Sequence, residues 1–175
     1  GPEGFPVVTT QVRSAVWLPL FDALVEPRLG MRIAVAAEEA GWDGLFVWDH
    51  VRWREPVAAV ADPWVTLAAC AAVTERLRLG PMVTPLARRR PGIVARQTAT
   101  LDRLSAGRLV LGVGLGGDTF GGEYSRFGEE ETVNTIVSGA ADFLGAALVI
   151  VAARGITIVM KNTYITDTVL PWHGN

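Results

Sequence analysis

Between Ala15 and Val113 one unit recurs: a short, unbroken apolar run followed by a helix-forming stretch. Ala15-Val16-Trp17-Leu18 predicts a buried strand closed by Pro19. Pro27 suits the first turn of a helix, where a missing N–H costs nothing, and Leu29, Ile33, Ala36, Ala37 and Ala40 follow at helical spacing up to Gly41, a natural C-cap. Gly44-Leu45-Phe46-Val47-Trp48 is a second apolar run, ended by Asp49-His50. Asp62-Pro63 pairs an N-cap with a first-turn proline and opens a helix to about Thr74. Leu77 to Val83 predicts a third strand, Pro91 to about Leu104 a third helix with Gly107 just past its end, and Arg108 to Val113 a fourth strand. Strand and helix alternating at about 30 residues per repeat mean successive βαβ units on a parallel sheet. The runs are continuous rather than alternating, as strands covered on both faces require.

The two ends read differently. Asp118 to Glu131 is glycine-rich and acidic, with Tyr124 and Phe127 embedded, and predicts a loop. Thr132 to Leu144 predicts a helix, Ala147–Val151 and Ile156–Met160 a hairpin across Ala152 to Gly155, and Thr163 to Leu170 a further strand. Val7 to Val12 adds a strand in front, and Gly1-Pro2 reads as a tag-cleavage scar. Half of the 175 residues are hydrophobic, which excludes a disordered chain. A single cysteine, Cys70, excludes an intrachain disulfide and points to a reducing, cytoplasmic setting. The net charge of -2 gives no electrostatic case for nucleic acid. The most apolar stretch, Phe143 to Met160, is interrupted by Arg154 and Gly155 and suits a hairpin better than a membrane span of about 20 residues.

Three clusters carry chemistry. Asp49-His50 follows the second strand, with Trp48 and Trp53 beside it. In parallel α/β folds the C-terminal strand ends carry the site. A histidine there can exchange a proton near neutral pH, oriented by an adjacent carboxylate, or it can be a loop residue satisfied by backbone groups. Gly112-Val113-Gly114-Leu115-Gly116-Gly117 satisfies GxGxxG after a strand, but a dinucleotide fingerprint also needs a helix opening at the glycines. A turn that lets a flat or anionic ligand approach the backbone, or a permissive turn without a ligand, are the other readings. Arg88-Arg89-Arg90 can receive a phosphate or carboxylate, or be a solvated loop. His50 and His173 are the only histidines, and no spacing suits a metal. Cys70 sits in an alanine-rich helix as a small buried hydrophobe.

Taken in order, Trp17-Leu18-Pro19-Leu20-Phe21, Ala37 to His50, Asp62-Pro63-Trp64, Leu79 to Pro85, Arg96 to Asp102 and Ser105 to Gly114 resemble the N-terminal half of the luciferase-like flavin- or deazaflavin-dependent oxidoreductases. The likeness covers about Ala15 to Phe127. It implies TIM-barrel ancestry and hydride chemistry at a ring of FMN or of deazaflavin coenzyme F-420, with a small-molecule substrate. Asp49 and His50 match the family's Asp-His after the second strand and take the catalytic role. Met82-Val83 matches a third-strand bulge where a non-proline cis peptide can prop the ring; Trp48 and Thr84 join it in cofactor binding. Gly114, Gly116 and Gly117 match the turn lining the cofactor pocket.

A complete barrel has eight strands and about 250 residues. Four βα units are visible here, which predicts an α/β partial (half) TIM barrel with a β-rich C-terminal extension. The expected division is an N-terminal extension over 1–14, a half-barrel over 15–131 and a divergent helix plus β-rich tail over 132–175. An open half-barrel exposes apolar faces and strand edges, so pairing into a homo-oligomer is expected. The alternative is a truncated, non-catalytic half-barrel scaffold or ligand-binding oligomer that holds no cofactor.

Overall fold

The computed structural model describes residues 13–128, 156–162 and 165–168. The expected strand over Val7–Val12, the helix over Thr132–Leu144 and the hairpin run Ala147–Val151 lie outside them, as does His173.

The apolar runs form strands where expected. Ala15–Leu18 (β1), Gly44–Val47 (β2) and Arg78–Pro81 (β3) make a parallel three-stranded sheet in that order, with Ala15 opposite Gly44 and Gly44 opposite Arg78. The run expected as one third strand is divided. After Pro81 the chain breaks at Met82-Val83, and Thr84–Pro85 (β4) pairs instead with Val110–Gly114 (β5) in a second sheet. A single bridge, Leu79 to Leu109, joins the two sheets. Thr157–Asn162 (β6) adds parallel to β5, and Ile165–Thr168 (β7) closes antiparallel on β6. The antiparallel neighbour of Ile156–Met160 among the described residues is therefore β7, within the segment expected as a further strand. The described residues form no closed barrel.

Three helices cover the sheets. Pro27–Glu39 (α1) is capped by the Glu26 carboxylate, which accepts from the Arg28 N–H, and ends before Gly41 at φ +82. Its buried positions are Gly30, Ala34 and Ala37, so the stripe expected from Ala36 and Ala40 is rotated and both face solvent. Close packing on the next helix decides this: a Cβ on Gly30 would sit 3.2 Å from Thr66 Cγ2. Pro63–Ala72 (α2) is capped by Asp62, which accepts from the Val65 N–H. Pro91–Leu104 (α3) buries Val94, Ala95, Thr98 and Leu101 and ends before Gly107 at φ +82.

The core joins both sheets to the helices through Leu45, Val47, Leu67, Leu79, Leu109 and Leu111, each 1% exposed or less. The strand β1 departs from the expected burial. Among the described residues it pairs on one side only, and there Trp17 is half exposed and Leu18 alone of its residues is buried.

Two polar staples hold the helix-to-strand turns. The Glu38 carboxylate accepts from the N–H groups of Glu75, Arg76 and Leu77, which lead into β3. The Arg108 guanidinium donates to the carbonyls of Ala71, Leu77 and Ser105 and to Thr74 Oγ1, tying the end of α2 to the start of β5. These contacts answer the orphan carbonyls at the C-terminus of α2.

Candidate active site

The parallel strands deliver their C-terminal ends to one place. The residues after β2 bring Trp48, Asp49 and His50, the break between β3 and β4 brings Met82 and Val83, and the end of β5 brings Gly114, Gly116 and Gly117. Together with Trp17, Trp53, Phe120 and Glu123 they line a cavity of about 280 Å³. The lining combines indole and phenyl rings with the glycines of the turn after β5. The Met82–Val83 peptide is cis, as the resemblance implies, and the Trp17 indole N–H donates to the Met82 carbonyl at 3.1 Å. Trp48, Trp53 and Phe21 pack around the His50 imidazole, with the Trp53 ring edge-on at 4.6 Å between centroids. Phe120 stacks on Trp53 at 4.9 Å.

Asp49 is fully enclosed beneath this surface. Its carboxylate accepts from the Thr84 hydroxyl, from Arg89 at 2.5 Å and from Arg88 at 3.3 Å, and its carbonyl accepts from Arg88 at 2.8 Å. These contacts occupy both carboxylate oxygens, and none of them reaches His50. Arg88 and Arg89 are thus engaged with a buried carboxylate rather than solvated. Arg88 and Arg89 are drawn inward as counter-charges, while Arg90 stays exposed at the start of α3. Such a buried carboxylate is tolerable only because several charge-assisted donors meet it.

The carboxylate that reaches the imidazole comes from 73 residues away. Glu123 Oε2 lies 2.9 Å from His50 Nδ1, and Oε1 accepts from the Val51 N–H at 2.7 Å. Arg88 stands 3.7 Å from the same carboxylate. Burial pushes the Glu123 carboxyl up, but the hydrogen bond from His50, the Arg88 charge and the Val51 N–H outweigh it and hold the group below its ordinary range. The loop that carries Glu123 is itself fastened. Asp118 accepts from the Tyr124 and Ser125 N–H groups, and the Tyr124 hydroxyl donates to the Leu115 carbonyl at 2.8 Å. Gly116, at φ +78, leaves room for this closure, because a Cβ there would meet Tyr124 Oη at 2.7 Å. His50 and Glu123 also border a second cavity of about 430 Å³, whose far wall is Asp62, Pro63 and Arg89.

Residues 13–135 match the sequence model of the luciferase-like monooxygenase family. The chain belongs to this family. It is 49% identical over 94 residues to a protein from Beutenbergia cavernae named F420-dependent glucose-6-phosphate dehydrogenase, a match covering 51% of this chain and 27% of that one. Among solved structures it resembles an F420-dependent tetrahydromethanopterin reductase from Methanopyrus kandleri, with 25% identity, a TM-score of 0.58, and coverage of 70% of this chain and 31% of that one. It also shares its fold with an F420-dependent secondary alcohol dehydrogenase, with 23% identity, a TM-score of 0.69, and coverage of 92% of this chain and 48% of the other. The chain spans about a quarter of the length of two curated relatives that it matches. A shorter stretch, residues 108–175, matches the model of a C4-dicarboxylate anaerobic carrier. No helix among the described residues is long and apolar enough to cross a membrane.

Within this luciferase-like frame the structure gathers Trp48, Asp49, His50, Met82, Val83, Gly114, Gly116 and Gly117 around one cavity. Thr84 does not line it; the side chain is buried and holds Asp49. No helix opens at Gly117, where the described chain runs on as a loop to the short turn Ser125–Phe127, so the dinucleotide fingerprint lacks its helix. Trp17, Phe120 and Glu123 are among the lining residues that sequence reasoning missed. Trp17 sits in an all-apolar run that reads as buried strand, and nothing local marks Glu123 within an acidic loop. Cys70 is buried in α2, and burial pushes its thiol up to about 11.

Proposed function

We propose that the chain carries the ring-binding half of a flavin- or deazaflavin-dependent oxidoreductase and acts on a small molecule bearing a hydroxyl or carbonyl carbon. The observation that carries this reading is an imidazole in the wall of an aromatic cavity at the strand C-termini. The cavity suits a flat tricyclic ring. Its lining is rich in aromatic rings, three glycines join it, and its volume lies near the lower end of ligand pockets, roughly 300 Å³. The names of the matched relatives favour coenzyme F-420 over FMN.

FMN or F-420 would supply a ring able to take or give a hydride, the part of the chemistry that no side chain provides. The remaining tasks fall to the chain. Trp48, Met82, Val83 and the turn Gly114 to Gly117 hold the ring, Trp17 and Trp53 exclude water, and His50 exchanges the proton of the substrate oxygen. Asp49 fixes the backbone from which His50 projects, through Thr84, Arg88 and Arg89.

The expected test result is micromolar binding of F-420 or FMN, followed by absorbance, with His50→Ala binding the ring normally but losing turnover. Failure of both ring compounds to bind overturns the reading. A second reading, a non-catalytic half-barrel scaffold, is favoured by the open sheets of the described residues. We further propose that a second copy covers these sheets, that residues 132–175 form a divergent extension behind a half-barrel over 15–131, and that the protein works in the cytoplasm. The exposed Trp17 and the one-sided β1 support the pairing. Light scattering that returns a monomer refutes it.

A further inference from the structure

The imidazole of His50 sits among rings that offer no hydrogen-bond acceptor: Phe21, Trp48 and Trp53 are its aromatic neighbours. Among the described residues its hydrogen-bond partner is Glu123, through Nδ1 at 2.9 Å. An ionised carboxylate can only accept, so this contact requires a hydrogen on Nδ1. The carboxylate is itself held from the other side by the Val51 N–H at 2.7 Å and by Arg88 at 3.7 Å, with its side chain 6% exposed. A side chain pinned at both ends cannot follow the imidazole if it turns. The geometry points to Glu123 as a positioning residue that fixes the Nδ1–H tautomer of His50 and leaves Nε2 as the one ring nitrogen free to take a proton.

This inference rests on the proton-exchanging role given to His50 above and assigns the atom that performs it. In the direction of alcohol oxidation the carbinol C–H bond gives up a hydride to the oxidised ring that F-420 or FMN would supply, while the substrate O–H bond breaks and its proton passes to Nε2, which becomes part of an imidazolium. The Nδ1–H bond remains in place and Glu123 balances the new charge. In the reverse direction Nε2 returns the proton to the carbonyl oxygen. Which nitrogen is protonated is set by the bond the other makes. Glu123 never touches the substrate in this account. Its contribution is to remove the wrong tautomer and the wrong ring orientation.

The test reads the imidazole directly. Histidine ring nitrogens are labelled with 15N in the full chain carrying His173→Gln, so that His50 alone reports. The neutral form of His50 should show the hydrogen on Nδ1 and a bare Nε2. Glu123→Ala should erase that preference and lower kcat about ten- to a hundredfold, as loss of an orienting partner does elsewhere, with little change in KM. Glu123→Gln, whose amide oxygen can still accept from Nδ1, should restore the tautomer and most of kcat. A hydrogen found on Nε2 in the otherwise unaltered protein overturns the proposal without any change at Glu123, so folding of the variants is not at issue. An unchanged tautomer in Glu123→Ala overturns it equally. A fixed tautomer in a protein that binds neither FMN nor F-420 supports the positioning role and sinks the oxidoreductase reading, which keeps the two failures apart.

Discussion

Replacing Gly80 by alanine should unfold this protein at a markedly lower temperature, and the reason is a backbone crossing. β3 and β5 approach each other where the sheet divides, with Leu79 bridged to Leu109. A Cβ built on Gly80 falls inside the shell of the Val110 carbonyl oxygen and 2.8 Å from its carbon. The approach is reciprocal, because a Cβ on Gly112 would meet the Pro81 carbonyl oxygen and lie 3.0 Å from Met82 Sδ. The obstacle is main chain in a buried sheet, not the end of a flexible side chain, so one strand must move. Overpacking of this kind costs about 1–3 kcal/mol, and an immovable neighbour puts Gly80→Ala at the top, about 3 kcal/mol. For a chain of this length each kcal/mol is worth roughly 2–4 °C, so the Tm should fall by about 6–12 °C. Gly92 in α3 is the matched control, since a Cβ there meets nothing within 4 Å. Gly92→Ala should instead stabilise by about 0.5–1 kcal/mol by lowering the entropy of the unfolded chain. Far-UV circular dichroism melts at one protein concentration compare the two. Equal melting of Gly80→Ala and the parent would refute the close crossing of the strands.

Further outcomes follow from the polar staples and the buried thiol. Burial raises the Glu38 carboxyl, but the N–H groups of Arg76, Glu75 and Leu77 and the charge of Arg76 together outweigh it and leave it below its ordinary value. A depressed folded value means the stabilisation is present above the unfolded pKa, about 4.3, and is lost as pH falls through the folded one. Glu38→Gln should therefore cost about 1 kcal/mol near neutrality, an exposed staple being worth little more. It should also melt with a shallower pH dependence below about pH 4 in a Tm series. Arg108→Ala strands the Ala71, Leu77 and Ser105 carbonyls and should lower the unfolding free energy by about 2–3 kcal/mol, read as a lower urea midpoint at unchanged slope. Cys70, its thiol raised to about 11 by burial, should resist a thiol reagent at pH 8 in the native state and react on unfolding. Labelling at the same rate in both states would contradict its burial.

The repeating unit was legible because local signals agree with the tertiary outcome. Pro27, Pro63 and Pro91 start helices, Gly41 and Gly107 end turns at positive φ, and the apolar runs of β2 and β5 are buried throughout or nearly so. Three features escaped because they depend on partners far along the chain. The third apolar run divides between two sheets because Thr84 and Pro85 find β5 while Arg78 to Pro81 find β2, a choice made by pairing and not by hydropathy. The burial of α1 turns toward Gly30 and Ala34 because α2 lies against that face. At the site, the pair Asp49-His50 suggested a carboxylate orienting its neighbour, yet adjacent residues after a strand point in different directions. Asp49 goes down to the arginines, and a glutamate from a distant loop reaches the imidazole. The family motifs picked out residues that meet at one cavity because they record strand ends; they could not record Glu123, whose place depends on how one loop closes.

Trp17, Trp48 and Trp53 are three of the protein's six tryptophans, and all three line the same cavity. Trp42 lies on the surface and Trp64 in the core, away from those walls. Much of the ultraviolet emission of this protein therefore originates within contact distance of whatever occupies the cavity. An absorbing ring placed there would drain the excited indoles, whereas an aliphatic guest would merely shift their colour. Occupancy and the chemical nature of the occupant are thus both written in the protein's own light, with no dye attached.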